Sequence, residues 1–250
     1  TTAVVIMEGY RRADSGRVRA LGFDPVGGGA GFRSRIGIVL QQTTAFERST
    51  VRETIQMFAA LFPSPMPVAE AIGLVGLAAQ ADRIADTMSG GQRRRLDLAC
   101  GLVGRPDLLF LDEPTTGLDP EARRALWDVV RGLRDRGVTV LLTTHLLDEA
   151  EALADRIGVL VAGRIADVAT PDRIGRRDRA EAIVRFVPPP DLQVGTDLVR
   201  DGDAVIVETD RPAEYIAELV ARHGEPDGLT ITRPSLEDVY LDMVSSTEVS

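Results

Sequence analysis

Two continuously apolar runs, 108–111 and 138–142, predict buried strands. Apolar residues that are continuous rather than alternating are typical of strands covered on both faces, as in a parallel sheet. The intervening segment, 121–136, has the pattern of a helix, with Pro120 suited to its first turn and Gly137 to its end. The sequence therefore predicts a strand–helix–strand crossover within an α/β fold.

The segments on either side continue this α/β pattern. Prolines at 63, 65 and 67 divide a helical region over about 43–100 into shorter pieces. The other predicted elements here are a short helix over 1–9, strands over 17–23 and 36–40, and a hairpin over 157–162 and 165–168.

A change in composition after about residue 171 predicts a second domain. The arginine-rich segment 173–179 has the composition of a linker. Beyond it we predict strands over 183–187 and 204–207, and helices over 212–222 and 236–244. The expected organisation is a main domain over 1–170, with a helical subdomain at about 43–100, and a small α/β accessory domain over 171–250.

Charge and composition narrow the classes of function. The net charge is −9 and the pI is near 4.9, which disfavours a surface built to neutralise nucleic-acid phosphates. Two arginine clusters, at 93–95 and 176–179, are expected to be solvated. The single cysteine, Cys100, is predicted to be a buried, inert thiol. Because no apolar stretch reaches the ~20 residues of a membrane helix, we expect a cytoplasmic protein that meets a membrane only through a partner.

The tetrapeptide Ser89-Gly90-Gly91-Gln92 is the strongest local indication of phosphate binding. Its glycines allow backbone N–H groups to approach phosphate oxygens, and Ser89 adds a hydroxyl donor. Because the following residues are predicted to be helical, the positive end of a helix would point at the same anion. The alternative is a flexible turn without a ligand.

Several polar side chains directly follow predicted strands, where α/β sheets bind their ligands. Asp112 could hold Mg²⁺, directly or through water, and Glu113 could orient and polarise an attacking water. His145 ends the next strand and could contact a terminal phosphate. Gln41 offers an amide to Mg²⁺ or water, with Gln42 as its alternative. Taken singly, each could instead be a strand cap or a structural side chain.

Taken in order, these motifs resemble those of the nucleotide-binding subunits of ABC transporters. The matching residues are Gln41 of the Q-loop, Ser89 to Gln92 of the signature motif, Asp112 and Glu113 of Walker B, Asp119 of the D-loop, and His145 as the switch histidine. Met88 stands where the family usually has leucine. The resemblance covers residues 1 to about 170 and implies a P-loop NTPase core of the ABC type that hydrolyses ATP with Mg²⁺.

The resemblance also implies partners. Ser89, Gly91 and Gln92, with Gly90 in the same turn, would contact the γ-phosphate of ATP held by a second ATP-binding subunit, and Asp119 would cross the dimer interface. Two such subunits would sandwich ATP at the cytoplasmic face of the membrane, and hydrolysis would drive a separate permease. Nucleic acid is not an expected partner.

Two softer matches narrow the branch of the family. Segments 8–11 and 234–241 look like those of drug- and antibiotic-resistance export ATPases. The alternative for 234–241 is any amphipathic C-terminal helix. Nothing in the sequence identifies the exported substrate, because selectivity belongs to the permease.

The family's phosphate loop, G-x-x-x-x-G-K-[ST], is not found within these residues. All 29 Lys+Arg residues are arginine, and the glycine cluster at 27–31 is not followed by Lys-Ser/Thr. The resemblance places Thr1 at the loop's Mg²⁺-binding Ser/Thr and Thr2 next to it, so the lysine would precede residue 1. We therefore expect a truncated ATPase, with residues 1–250 alone binding ATP poorly and hydrolysing essentially none.

Two other interpretations stay open. One is a soluble ABC ATPase that acts on nucleic acid or ribosomes. The other is a degenerate, non-enzymatic subunit that offers its signature motif to ATP bound by an intact partner.

Overall fold

The computed structural model describes residues 2–39, 48–189 and 199–248, and the chain divides into two compact units, Thr1–Leu146 and Leu147–Ser250. The first unit contains α1 (Thr2–Met7), α2 (Gly29–Arg33), β1 (Ile36–Val39), α3 (Val51–Ala59), α4 (Val68–Leu74), α5 (Gly90–Leu102), β2 (Leu108–Asp112), α6 (Pro120–Asp135) and β3 (Thr139–Thr143). The second contains α7 (Leu147–Leu153), β4 (Ile157–Val161), β5 (Arg164–Ala169), β6 (Ala182–Phe186), β7 (Val199–Asp201), β8 (Ala204–Thr209), α8 (Pro212–His223), β9 (Thr230–Thr232) and α9 (Leu236–Glu248). Across these residues, no helix combines the length and apolar character needed to cross a membrane.

The strands of the first unit form a parallel sheet in the order β1-β2-β3. The register pairs Ile36 with Leu108 and Asp112 with Thr143. Helix α6 connects β2 to β3, so the predicted strand–helix–strand unit is confirmed. Because the carboxyl ends of parallel strands share one edge, the residues that follow β2 and β3 lie side by side.

Two glycines allow α5 to pack directly on the sheet. A Cβ at Gly37 of β1 would overlap the carbonyl oxygen of Gly101 in α5, and a Cβ at Gly101 would lie 2.8 Å from Val39 Cγ2. The surrounding side chains are apolar and almost completely buried, and include Leu96, Leu98, Leu102, Leu109, Phe110 and Leu111. The helix that begins at the signature motif is therefore in close contact with the sheet that carries the acidic residues.

The ends of α6 follow from its sequence. The Asp119 carboxylate accepts the N–H of Ala122 at 2.8 Å and so caps the helix, and Pro120 is its first residue. Gly137 follows the helix with φ of 85°, a conformation that glycine adopts without strain. These residues therefore define the two ends of α6.

The second unit has its own small cores. β4 and β5 form the predicted antiparallel hairpin, and a separate antiparallel sheet has the order β7-β8-β6-β9. On this sheet Val184 and Phe186 of β6 pack against Leu219 of α8. The accessory part is therefore α/β, as expected.

The boundary between the units lies earlier than the sequence indicates. Leu236 of α9 packs in one cluster with Val159 of β4 and with Ile174. Because the β4–β5 hairpin shares this core with the C-terminal helix, residues 147–170 belong to the second compact unit rather than to the first. The predicted boundary near residue 170 falls inside that unit.

Two local predictions are wrong. Residues 17–23 do not form a strand: positive φ angles at Leu21 and Gly22 turn the chain, and Ala20 pairs only with Phe23. The segment 173–179 is not a linker, because Ile174 is fully buried and the segment forms short 3₁₀ turns with a kink at Gly175 and Arg176.

Cys100 should react very slowly with thiol reagents in the folded protein. The thiol is buried, and desolvation, with a smaller contribution from the charge of Asp97, raises its pKa to about 12. At pH 8 only about one thiol in 10⁴ is ionised, and the thiolate is the reactive form. We expect labelling at pH 8 to be at least ~100-fold slower than in denaturant. Equal rates in the two conditions would contradict the buried position.

Candidate functional site

The edge of the sheet brings Glu113 and His145 together. Glu113 directly follows β2, and His145 lies two residues beyond β3. His145 Nδ1 and Glu113 Oε2 are 2.7 Å apart, and the hydroxyl of Thr116 donates to the same carboxylate oxygen at 3.1 Å. The Glu113 side chain is 22% exposed and that of His145 is 65% exposed. The pair is therefore preorganised yet open to a ligand.

The backbone of Glu113 has an unusual conformation. Its φ is 48°, in the left-handed region that residues with a side chain seldom adopt. The Glu113 N–H donates to the carbonyl oxygen of Thr143 at 3.0 Å, which ties this residue to the end of β3. Strained conformations of this kind persist where the surrounding structure holds them, and they are concentrated at functional sites.

Asp112 lies next to an excess of negative charge. The hydroxyl of Thr143 donates to the Asp112 carboxylate. The buried carboxyl of Glu8 has a pKa raised by desolvation and, to a smaller extent, by the charge of Asp112. A cation beside Asp112 would relieve this repulsion, so the surroundings of Asp112 fit Mg²⁺.

The described residues contain no group of three or more His, Cys, Asp or Glu side chains placed to hold a metal ion together. Mg²⁺ in nucleotide sites is commonly held by one or two protein ligands together with phosphate oxygens and waters. One carboxylate at Asp112 fits that type of site.

The signature turn opens α5 in a form that suits an anion. Ser89 Oγ accepts the N–H of Gln92 at 3.3 Å, and Gln92 Oε1 accepts the N–H of Ser89 at 3.2 Å, which is a capping box. Ser89 is exposed, so its O–H can still donate to a ligand. A Cβ at Gly91 would lie 2.6 Å from the Cβ of Ala122, so this face of the turn is packed against α6.

The structure describes the positions of Asp119 and Thr2, but their roles in binding ATP or Mg²⁺ remain predictions. The Asp119 carboxylate caps α6, and Thr2 is the first residue of α1. Thr1, Gln41 and its alternative Gln42 lie outside the described residues.

Sequence reasoning missed the part played by the three consecutive arginines at 93–95. They were expected to be solvated, yet Arg94 is buried. Its Nε donates to the carbonyl oxygen of Pro114 at 2.8 Å, and one of its terminal nitrogens donates to that of Asp112 at 3.0 Å. Leu98 and Leu102 lie four and eight residues later on the buried face of α5, a spacing that places Arg94 on the same face.

The side chain of Arg177 was also expected to be solvated, and it is 19% exposed.

An open groove of about 380 Å³ between α4 and α6 shares no residue with this site. Its walls include Glu70, Leu74, Asp128 and Arg136. The chemistry described above lies instead at the edge of the sheet.

Comparisons with known proteins indicate the same family as the motifs. A family model for the ABC transporter matches residues 1–116. The daunorubicin/doxorubicin resistance ATP-binding protein of Streptomyces peucetius is 37% identical, over 96% of this chain and 79% of its own length. The Nod factor export ATP-binding protein I of Burkholderia pseudomallei (strain 1710b) is 34% identical, over 96% of this chain and 83% of its own length.

A solved structure gives the same result for the fold. The structure of cbiO1 from Clostridium perfringens, part of the ABC transporter complex cbiONQ, matches with a TM-score of 0.62 at 27% identity. The match covers 69% of this chain and 73% of that one.

Proposed function

Because the chain belongs to the ABC transporter family, among its ATP-binding subunits, we propose that it binds and hydrolyses ATP to drive a separate membrane permease. The family resemblance and the α/β fold predicted from the motifs are confirmed. The observation that carries the hydrolytic part of the proposal is the pair of Glu113 and His145, 2.7 Å apart at the edge of the sheet.

Each residue of this edge has a distinct part in the proposal. Glu113 orients and polarises the attacking water, and His145 contacts the terminal phosphate. Asp112 holds Mg²⁺ directly or through water, and the ion, when bound, neutralises charge on the phosphate oxygens. Thr143 and Thr116 donate to these carboxylates and so help to hold them at the edge of the sheet.

The signature turn acts on a second subunit. Ser89, Gly91 and Gln92 would bind the γ-phosphate of ATP held by the partner, through the exposed start of α5. Asp119, at the end of the adjoining loop, would face the dimer interface. Thr1, Thr2 and Gln41 keep the ATP- or Mg²⁺-binding roles that the resemblance implies.

The relatives suggest the cargo and the location. Two of them are a daunorubicin/doxorubicin resistance protein and a Nod factor export protein. We extend drug or antibiotic export to this chain, with the subunit bound peripherally to a permease at the cytoplasmic face of the membrane.

Residues 1–250 alone should turn over little ATP. They contain no lysine, and a lysine is what neutralises the β- and γ-phosphates in a P-loop. Arginine does not reproduce this compact point charge within a tight loop. The alternative is a non-enzymatic subunit that presents its signature turn to ATP on an intact partner.

Substitution of Ser89 by alanine tests the proposed function. The protein isolated from its native membranes should co-purify with a polytopic membrane protein and hydrolyse Mg-ATP. Ser89→Ala should lower that rate about tenfold, because it removes a donor to the phosphate and the cap of α5. Ser34→Ala, at an exposed residue whose hydroxyl donates to the carbonyl of Gly31, serves as the control.

The alternatives give different results. Co-purification with ribosomes or nucleic acid, and not with a membrane protein, would replace the transport proposal with the soluble ATPase. Stimulation of an intact partner subunit by a chain without turnover of its own would establish the non-enzymatic function.

A further inference from the structure

The three consecutive arginines of α5 tie this helix to three different segments of the first unit. A terminal nitrogen of Arg93 donates to the carbonyl of Asp86 at 3.2 Å. Arg95 donates to the carbonyls of Val75 and Gly76 at 3.3 and 3.2 Å. Among the described residues, Arg94 is the one of the three whose hydrogen bonds reach the loop after β2. Each of the three arginines therefore donates hydrogen bonds to backbone carbonyls of a different segment.

The target of Arg94 is the backbone on both sides of Glu113. Its two donors reach the carbonyl of Asp112, one residue before Glu113, and that of Pro114, one residue after it. The guanidinium is buried, with Asp97 at 3.9 Å as its acidic neighbour on the same helix. A planar fork of donors can hold two carbonyls at a fixed separation, which a single ammonium cannot do.

The hydrogen bonds of Arg94 matter because they lie on both sides of the unusual backbone conformation of Glu113. Glu113 has φ of 48°, which the loop would leave if it were unrestrained. Its own N–H is held by Thr143 of β3, and the flanking carbonyls are held by Arg94 of α5. Arg94 lies five residues after Ser89, so the helix that starts at the signature turn also fixes the carboxylate that faces His145.

We propose that Arg94 is a positioning residue for Glu113, and that it links the position of the signature helix α5 to the geometry of the Glu113–His145 pair. This inference deepens the proposed function and rests on it. Movement of α5 when the signature turn binds phosphate is carried to Glu113 through two charge-assisted hydrogen bonds.

Substitution at Arg94, with Arg95 as the matched control, tests the proposal. In the protein isolated from its native membranes, Arg94→Gln should lower kcat about 10- to 100-fold and leave the KM for ATP within about twofold. Arg94→Lys retains the charge but cannot span both carbonyls, so it should recover only part of the loss. Arg95→Gln, which removes comparable anchors to Val75 and Gly76, should leave kcat within about twofold.

Amide hydrogen exchange provides a readout that needs no ATP turnover. Arg94→Gln should speed exchange at Glu113, Thr115 and Thr116 about 10-fold or more, whereas Arg95→Gln should speed exchange near residues 75–77 and leave 113–116 unchanged. If Arg94→Gln does not fold, Arg94→Lys is compared with the unmodified protein in the same way.

The two proposals fail differently. Absence of turnover in the unmodified protein, with the expected exchange pattern, would overturn the proposed function and leave the positioning contact established. Normal turnover with an unchanged kcat in Arg94→Gln would overturn the role of Arg94. Equal losses in the Arg94 and Arg95 variants would also overturn it, because they would show a general effect on the stability of α5.

Discussion

Replacement of Glu113 by glutamine should lower ATP hydrolysis by the protein from its native membranes by about 10²- to 10⁴-fold. Glutamine has nearly the same shape and can still accept the hydrogen bond from Thr116, but it cannot polarise or deprotonate water. Since the side chain is partly exposed and bonded only at its carboxylate, the fold should be preserved. The measurement is phosphate release at saturating Mg-ATP, together with the affinity for ATP, which should change little.

A matched control separates the loss of this carboxylate from the loss of one negative charge. Glu121→Gln changes an exposed residue in the first turn of α6 and should leave the rate within about twofold. A Glu113→Gln protein that hydrolyses ATP at more than about a tenth of the normal rate would show that another group activates the water.

Much of the first unit could be predicted from sequence because its signals are local. Continuous apolar runs gave β2 and β3, and the crossover rule gave their parallel pairing through α6. Pro120 and Gly137 marked the ends of that helix. Such patterns work where a segment's burial is decided by its own residues.

The proximity of Glu113 and His145 could be predicted from the order of the strands. Strand ends at one edge of a parallel sheet must be neighbours, so Glu113 and His145 could be placed together before any distance was known. The contact between them depends on the register of β2 against β3, which pairs Asp112 with Thr143. The part played by Thr143 follows from that register and could not be derived from the sequence pattern.

The errors come from tertiary contacts that have no local signature. Arg94 was judged by its charge, although α5 buries it against two carbonyls of a distant loop. Arg177 was assigned to a linker for the same reason, and it donates to the carbonyl of Pro234 at 2.7 Å. In both cases the guanidinium donates to a backbone carbonyl that is distant in sequence. Local composition therefore led to the wrong prediction that the side chain is solvated.

The very short strands were missed as well. β7 (Val199–Asp201) and β9 (Thr230–Thr232) are exposed and only three residues long. At that length the alternation of apolar and polar residues contains almost no information. Their place in the sheet comes from pairing with β8 and β6, respectively.

The close packing of α5 on the sheet leads to a prediction of a large effect on stability. Gly37→Ala should lower the free energy of unfolding by about 3 kcal/mol, because its Cβ would overlap the carbonyl oxygen of Gly101 and lie 2.9 Å from Leu109 Cδ1. The obstructing atom is backbone, so the whole helix α5 would have to move. Urea denaturation followed by circular dichroism measures the change.

Gly132→Ala is a control for which the opposite change in stability is expected. Gly132 lies within α6, and a Cβ there would meet no atom within 4 Å. Alanine should therefore raise the free energy of unfolding by about 0.5–1 kcal/mol, through its greater helix propensity. A Gly37→Ala protein as stable as the unmodified one would mean that α5 does not rest on β1 at this distance. The proposed role of Arg94 depends on the same packing, because Arg94 holds the backbone around Glu113 only if α5 itself is held against the sheet.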